Sequence, residues 1–134
     1  MNVAGKRVAP AEIESVLATD GAVAESAVVG IPDSTKGEAV WAFWVRRPGA
    51  ADADGDEDDG LVSARFTALV AAQVGKPFAP ARVIRVAQLP KTRSAKILRR
   101  AVRAAVLDTD PGDLSGAENP EAVEDIRSRV KELR

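Results

Sequence analysis

The chain has 134 residues, 46% apolar and 29% charged, with neither Cys nor His. That length suits one domain with a core that needs no disulfide or metal staple. The two missing residue types exclude the usual zinc sites, cysteine nucleophiles and Ser-His-Asp relays. Nineteen Lys and Arg against 20 Asp and Glu leave a net charge of -1, so the whole chain exerts no attractive field on nucleic acid or an anionic membrane.

Residues 2–8 (NVAGKRV) alternate loosely around Gly5 and predict a short strand or hairpin. Pro10 suits a first helical position, with Glu12 and Glu14 near the positive helix end and Ile13, Val16 and Leu17 as the apolar stripe, so a helix is expected to about Thr19. Asp20-Gly21 stops it. The β-rich run Val23 to Ile31 predicts a strand ended by Pro32-Asp33. Glu38 to Val45 is apolar on both alternating faces, as a central strand would be. Its Trp41, Phe43 and Trp44 are read as core packing rather than a ligand platform.

Residues 48–60 (PGAADADGDEDDG) hold six acids, no base and no large apolar side chain, which predicts a flexible acidic loop. A calcium loop starting at Asp52 would need Gly and Glu where Glu57 and Ser63 stand, so calcium is set aside. A helix is expected over Leu61 to Val74, ended by Gly75, and a strand over Arg82 to Val86. Between Lys91 and Arg103 there are six bases and no acid, with Ile97, Leu98, Ala101, Val102, Ala105 and Val106 at helical spacing. A basic amphipathic helix beginning near Ser94 follows from that pattern. Residues 108–134 form a polar tail and a last helix, with Asn119 as N-cap, Pro120 in the first turn and a stripe of Val123, Ile126, Val130 and Leu133.

No apolar run approaches the roughly 18 residues of a membrane span, and the start lacks a signal-peptide pattern, so the expectation is a soluble cytoplasmic protein with no membrane partner. The chain enters a strand-like segment directly after Met1, as a piece cut from a longer chain would.

Chemistry must come from Lys, Arg, carboxylates or backbone. On a helix from Ser94, Lys96, Arg99, Arg100 and Arg103 would share one stripe, which in most proteins is only a solvated basic face. The preceding LPKTRSAK is less ordinary, because a proline-ended strand followed by bases among small hydroxyl residues can project a lysine. A flexible ammonium there can neutralise phosphate or carboxylate charge as it develops. Gly5 is either a tight-turn glycine or one that lets backbone approach a ligand. Neither GxxxxGK[ST] nor GxGxxG occurs, so the chain carries no nucleotide cradle of its own.

Three segments in order, NVAGKRVAPAEIESVL (2–17), AVVGIPDSTKGEAVWAFWV (27–45) and LPKTRSAKILRR (89–100), resemble the C-terminal domain of AMP-forming acyl-CoA synthetases in the acyl-adenylate-forming superfamily. The tail DPGDLSGAENPEAVEDIR (110–127) is similar to the acetyl- and propionyl-CoA synthetase type. The resemblance implies a ligase using ATP, CoA and Mg²⁺, with ATP and a small carboxylic acid bound mainly by an N-terminal domain that this mobile domain closes upon. It implies that Lys96 acts in adenylation. The glycine-arginine loop, Ala4, Gly5, Lys6 and Arg7, would line the pantetheine tunnel in the second step, with Arg7 near the adenylate phosphate. By itself such a domain is expected to be inactive, and the family's hinge residue would precede Met1.

Departures from the family pattern are Ala95 in place of the usual glycine before the lysine, Ala4 and Lys6 in place of serine and histidine, and Ala71 where acetyl-CoA synthetases carry a CoA-contacting arginine. The expected fold is α+β, one domain over 1–134, with a small central sheet of about three strands flanked by helices and a short N-terminal strand or hairpin. Two rivals are a regulatory domain whose lysine is a target of an acyltransferase and deacylase, and a nucleic-acid module using Lys91, Arg93, Arg99, Arg100 and Arg103.

Overall fold

Residues 1–49 and 59–133 are described by the computed structural model, the side chain of Asp59 excepted. Most of the acidic loop expected over 48–60 therefore lies outside the described residues. In chain order the elements are β1 (Asn2–Val3), β2 (Lys6–Arg7), α1 (Pro10–Leu17), β3 (Val23–Asp33), β4 (Gly37–Arg46), α2 (Asp59–Gln73), a 3-10 turn (Lys76–Phe78), β5 (Arg82–Arg85), α3 (Arg99–Leu107) and α4 (Glu121–Glu132). They divide into two compact units, Met1–Arg85 and Val86–Arg134. No helix among the described residues is long and apolar enough to cross a membrane.

In the first unit the strands form one sheet in the order β2-β1-β4-β3, with β5 also paired to β4. All pairings are antiparallel except β4 with β5. The class is α+β as expected, but the sheet has five strands rather than about three. The additional ones are short, because two residues each suffice for β1 and β2 when a tight turn joins them. Strand β4 is central, with β3 along one edge and β1 and β5 sharing the other.

On one face Val28, Val40, Ala42 and Trp44 meet Ile13 and Leu17 of α1 and Val62, Phe66 and Val70 of α2 in a single buried core. Trp44 and Phe66 pack edge-to-face, with centroids 5.2 Å apart, a geometry aromatic pairs favour. Alternate positions on the other face, Ala27, Val29, Ile31, Phe43 and Ile84, are buried as well. The aromatics of β4 are thus mainly core, though Trp41 is only half-buried and lies under the Arg82 guanidinium.

Strand β3 continues through Pro32, where the sequence suggested a stop. The backbone nitrogens at 28, 30 and 32 share one parity, and that of Val28 points away from β4, so a proline at 32 removes no ladder bond. At Val28 that outward amide donates to Glu14 Oε2 at 2.8 Å. The β3–β4 turn is held by Asp33, whose carboxylate accepts from the amides of Thr35 and Lys36 at 3.2 and 2.8 Å.

The second unit pairs α3 with α4. Small side chains permit close approach: Ala101, Val102, Ala104 and Ala105 are buried on α3, and Ala122, Val123, Ile126 and Val130 on α4. Helix α3 ends at Asp108 in the left-handed region, φ 55°. Arg127 answers that helix end, donating to Thr109 O at 3.2 Å and pairing with Asp108 at 3.2 Å.

Four expectations about the helices are corrected by the structure. Helix α2 begins at Asp59, two residues before Leu61. Helix α3 begins at Arg99 and not near Ser94, because residues 91–97 are folded into a hairpin. Asn119 does not cap α4 through its side chain, and Leu133 is 40% exposed instead of joining the buried stripe.

Candidate functional site

Each unit presents a short hairpin, β1–β2 in the first and residues 90–98 in the second, and the residues singled out in the sequence sit on these two. In the first unit, β1 and β2 pair Asn2 with Arg7 and Val3 with Lys6, leaving Ala4-Gly5 as a two-residue loop. Both loop residues have positive φ, 52° and 80°, the requirement of the tight turn that matches strand twist. Glycine meets that requirement without strain; alanine costs roughly 1–2 kcal/mol there. The turn is held from behind by the Ala4 amide donating to Lys36 O at 2.8 Å. Ala4, Gly5, Lys6 and Arg7 are all exposed, while Val3 and Val8 on either side are buried as anchors. A Cβ at Gly5 would meet nothing within 4 Å, so within this unit the glycine is needed for its backbone angle alone. Beside the hairpin lies an open groove of about 530 Å³ lined by Arg7, Glu12 and Glu38 and by Met1 and Asn2. Glu38 is not idle there, since its Oε1 accepts from the Asn2 amide at 2.9 Å.

In the second unit the segment 90–98 doubles back on itself. Thr92 donates its amide to Lys96 O at 2.9 Å, Leu98 donates to Pro90 O at 2.9 Å, and Ala95 closes the turn by donating to Thr92 O at 2.9 Å. The Thr92 hydroxyl is a further brace, accepting from the Lys96 amide at 3.1 Å and sharing a hydrogen bond with Ser94 Oγ at 3.0 Å. Ala95 has φ 67°. The position therefore does need positive φ, the one condition under which replacing glycine by alanine is costly. Lys96 follows directly and is exposed. It stands on a braced hairpin, off the helix that was expected to carry it.

The stripe predicted for Lys96 with Arg99, Arg100 and Arg103 is consequently broken at its first member. Arg100 is also more than a solvated charge: Nη1 donates to Pro111 O at 2.6 Å and Nη2 to Asp113 O at 3.1 Å, fastening the loop after α3. In that loop the Asp113 carboxyl is held below its ordinary value, first by the Ser115 amide donating to it at 2.9 Å and then by the Ser115 hydroxyl, with the Arg100 charge adding to the effect. Among the described residues no group of three or more acids converges as a metal site.

Two contributors were not singled out in the sequence. Thr92 lies four residues before Lys96 and read as one more hydroxyl in a polar run. Asn119 read as a helix cap, and its carboxamide is instead bonded to the backbone at Leu89 and Lys91.

Comparison with known proteins gives a consistent picture. A family model described as the AMP-binding enzyme C-terminal domain matches residues 12–96. The acetyl-coenzyme A synthetase of Methanothrix soehngenii is 44% identical over 126 residues, 94% of this chain and 18% of that protein. The propionate–CoA ligase of Escherichia coli K12 is 40% identical over 135 residues, 98% of this chain and 21% of that protein. Among solved structures, a Brucella canis acyl-CoA synthetase superposes with a TM-score of 0.71 at 34% identity, covering 80% of this chain and 19% of that one. The chain thus spans about a fifth of the length of the curated relatives it matches.

Proposed function

Because the chain belongs to the AMP-binding enzyme C-terminal domain family, we propose that it is the mobile C-terminal domain of an ATP-dependent, AMP-forming carboxylic acid:CoA ligase acting in the cytoplasm on acetate or another short acid. An N-terminal domain would hold ATP, Mg²⁺ and the acid. In the first step the carboxylate oxygen bonds to the α-phosphorus, the bond from that phosphorus to the bridging oxygen breaks, and pyrophosphate leaves. In the second the thiol of CoA loses its proton and bonds to the acyl carbon, and AMP leaves.

Lys96 serves the first step in this reading. Negative charge builds on the phosphoryl and carboxylate oxygens in the transition state, and an ammonium aimed there favours that state over the ground state. The observation that carries this role is the exposure of Lys96 on a hairpin whose backbone is braced at 92, 95 and 96. Bracing matters because a donor that is already oriented costs no reorganisation at the moment of reaction. The loop Ala4–Arg7 serves the second step, Gly5 lining the path of the pantetheine arm and Arg7 near the adenylate phosphate.

In the enzyme carrying this domain, Lys96→Ala is expected to lower ATP–pyrophosphate exchange by roughly a hundred- to a thousand-fold. Thioester formation from preformed acyl-adenylate and CoA should stay near wild type. Equal losses in both half-reactions would reject the assignment of Lys96 to one step. The exposure of Lys96 also favours a second reading, in which a lysine acyltransferase and a deacylase switch the same residue, since acylation removes the charge and keeps the bulk. Mass spectrometry of Lys96 after incubation with acyl donor and acyltransferase tests it, and an unmodified lysine rejects it.

A further inference from the structure

Behind the Lys96 hairpin runs a set of hydrogen bonds that the proposed chemistry does not use. Asn119 reads the chain on both sides of Pro90: its Nδ2 donates to Leu89 O at 2.8 Å and its Oδ1 accepts from the Lys91 amide at 2.9 Å. A carboxamide used this way replaces one residue of a neighbouring strand. The pairing then continues in backbone, with the Glu118 amide donating to Lys91 O at 2.8 Å and Ala117 bridged to Thr92. Segment 90–92 is therefore the middle of three chain segments, with 96–98 on one edge and 117–119 on the other. Both ends of the clamp are anchored, since Leu89 and Pro90 are buried, as are Ala122 and Val123 in the first turn of α4.

We propose that Asn119 is a positioning residue for Lys96, tying the strand that leads into the hairpin to the start of α4 and so fixing where the ammonium is presented. The proposal rests on the adenylation role of Lys96. The geometry carries it because the Asn119 carboxamide bonds to backbone on both sides of Pro90, with Gln88 Oε1 as a further, side-chain acceptor of its Nδ2 at 3.2 Å. It also gives up the usual task of an asparagine before a helix: only its backbone carbonyl serves α4, accepting from the Ala122 amide at 3.0 Å. Its side chain is spent on the hairpin. A misplacement on the order of 1 Å at a reacting group can cost about a hundred-fold in rate, so a clamp this far from the chemistry can be felt in it.

The experiment compares Asn119→Ala and Asn119→Asp with wild type in the enzyme carrying this domain. Asp keeps an acceptor for the Lys91 amide and loses the donor to Leu89 O, so the expected order of adenylation rate is wild type, then Asp, then Ala, with Ala down by about ten- to a hundred-fold. The loss should fall on kcat, with KM for ATP and acid near wild type and the thioester half-reaction within about two-fold. Amide hydrogen exchange supplies a readout independent of activity: in Asn119→Ala both the Lys91 and Lys96 amides should exchange faster while the buried amides of α3 and α4 keep their rates. Faster exchange at Lys91 with no change at Lys96 would overturn the proposal, as would Ala and Asp behaving alike. Loss of protection throughout α4 would make Asn119 a folding residue and overturn it too. Should Lys96→Ala leave adenylation intact, the chemical reading fails while the exchange result still decides the clamp. A dead Lys96→Ala beside a fully active Asn119→Ala rejects the clamp alone.

Discussion

The two hairpins solve the same backbone problem with different means. Each turns through an alanine in the left-handed region, Ala4 at φ 52° and Ala95 at φ 67°. The first is held by a sheet: Val3 pairs with Gly37 on β4 and the Ala4 amide bonds to Lys36 O. The second is held by short backbone pairings, to which two side chains add, the Thr92 hydroxyl within and the Asn119 carboxamide behind. A turn held by a sheet loses its shape when the sheet does, whereas one held by side chains is open to single substitutions. The difference gives the lysine a setting that is rigid and locally adjustable, and gives the glycine loop one that is rigid and fixed by the core.

The largest test strikes the core beneath the first hairpin. Phe66→Ala is expected to cost about 3–5 kcal/mol, because Phe66 is fully buried against Trp44. Chemical denaturation would read it, and a loss under about 1 kcal/mol would deny that this core holds the sheet.

Next in size is Gly5. Ala and Leu there both bear the same left-handed strain, roughly 1–2 kcal/mol, and a Cβ meets no neighbour within the unit. Gly5→Ala and Gly5→Leu should therefore be equally stable, while Leu alone blocks thioester formation and leaves pyrophosphate exchange intact. Equal activity of Ala and Leu would remove the pantetheine path from this loop.

Smaller effects separate the second hairpin from the first. Thr92→Val deletes the hydroxyl that accepts from the Lys96 amide and is expected to cost about 1 kcal/mol locally. Amide exchange at Lys96 should rise while that at Val3 stays put; a matching rise at Val3 would mean the hairpins are not independently held. Ala95→Gly relieves positive φ and should slow exchange at Lys96, with a net gain under about 1 kcal/mol because glycine also loses more freedom on folding. Faster exchange in that variant would show that alanine's stiffness outweighs its strain.

The smallest effect is a pH dependence at Asp113. Its folded carboxyl lies below the ordinary value, so its bonds to Ser115 stabilise the loop fully above the unfolded carboxyl value and are lost as pH falls through the folded one. Chemical shifts of the Ser115 amide should move in acid, below the ordinary aspartate range, and Asp113→Asn should abolish that movement. A midpoint above that range would contradict a lowered carboxyl value.

Much of the first unit was legible because period and position agreed. Alternation with apolar residues on both faces marked β4 as central, and Pro10 with Ile13 and Leu17 marked α1. The short strands were only half visible, since two residues make no periodic signal; Gly5 marked the turn and the pairing followed. In the second unit the apolar spacing at 97, 98, 101, 102, 105 and 106 was real, and extending it back through Ser94 was the error. Residues before Leu98 obey a turn whose usual marker is glycine, and Ala95 hides it. Asn119 misled for a related reason: Asn-Pro is a sound helix-start signal, but nothing local reveals that the carboxamide faces a strand about 30 residues earlier. Lys96 was legible as a projected lysine, and its scaffold was not.

The Glu14 carboxylate on the Val28 amide reaches beyond folding. Strand β3 is eleven residues long, and a second molecule pairing with its side away from β4 would extend the ladder and seed insoluble aggregates. A charge seated midway along that edge, with Pro32 near its end offering no amide at all, deprives an incoming strand of two anchor points on that side. Variants such as Glu14→Ala would be expected to fold and then to precipitate from concentrated solution, a failure of shelf life rather than of catalysis.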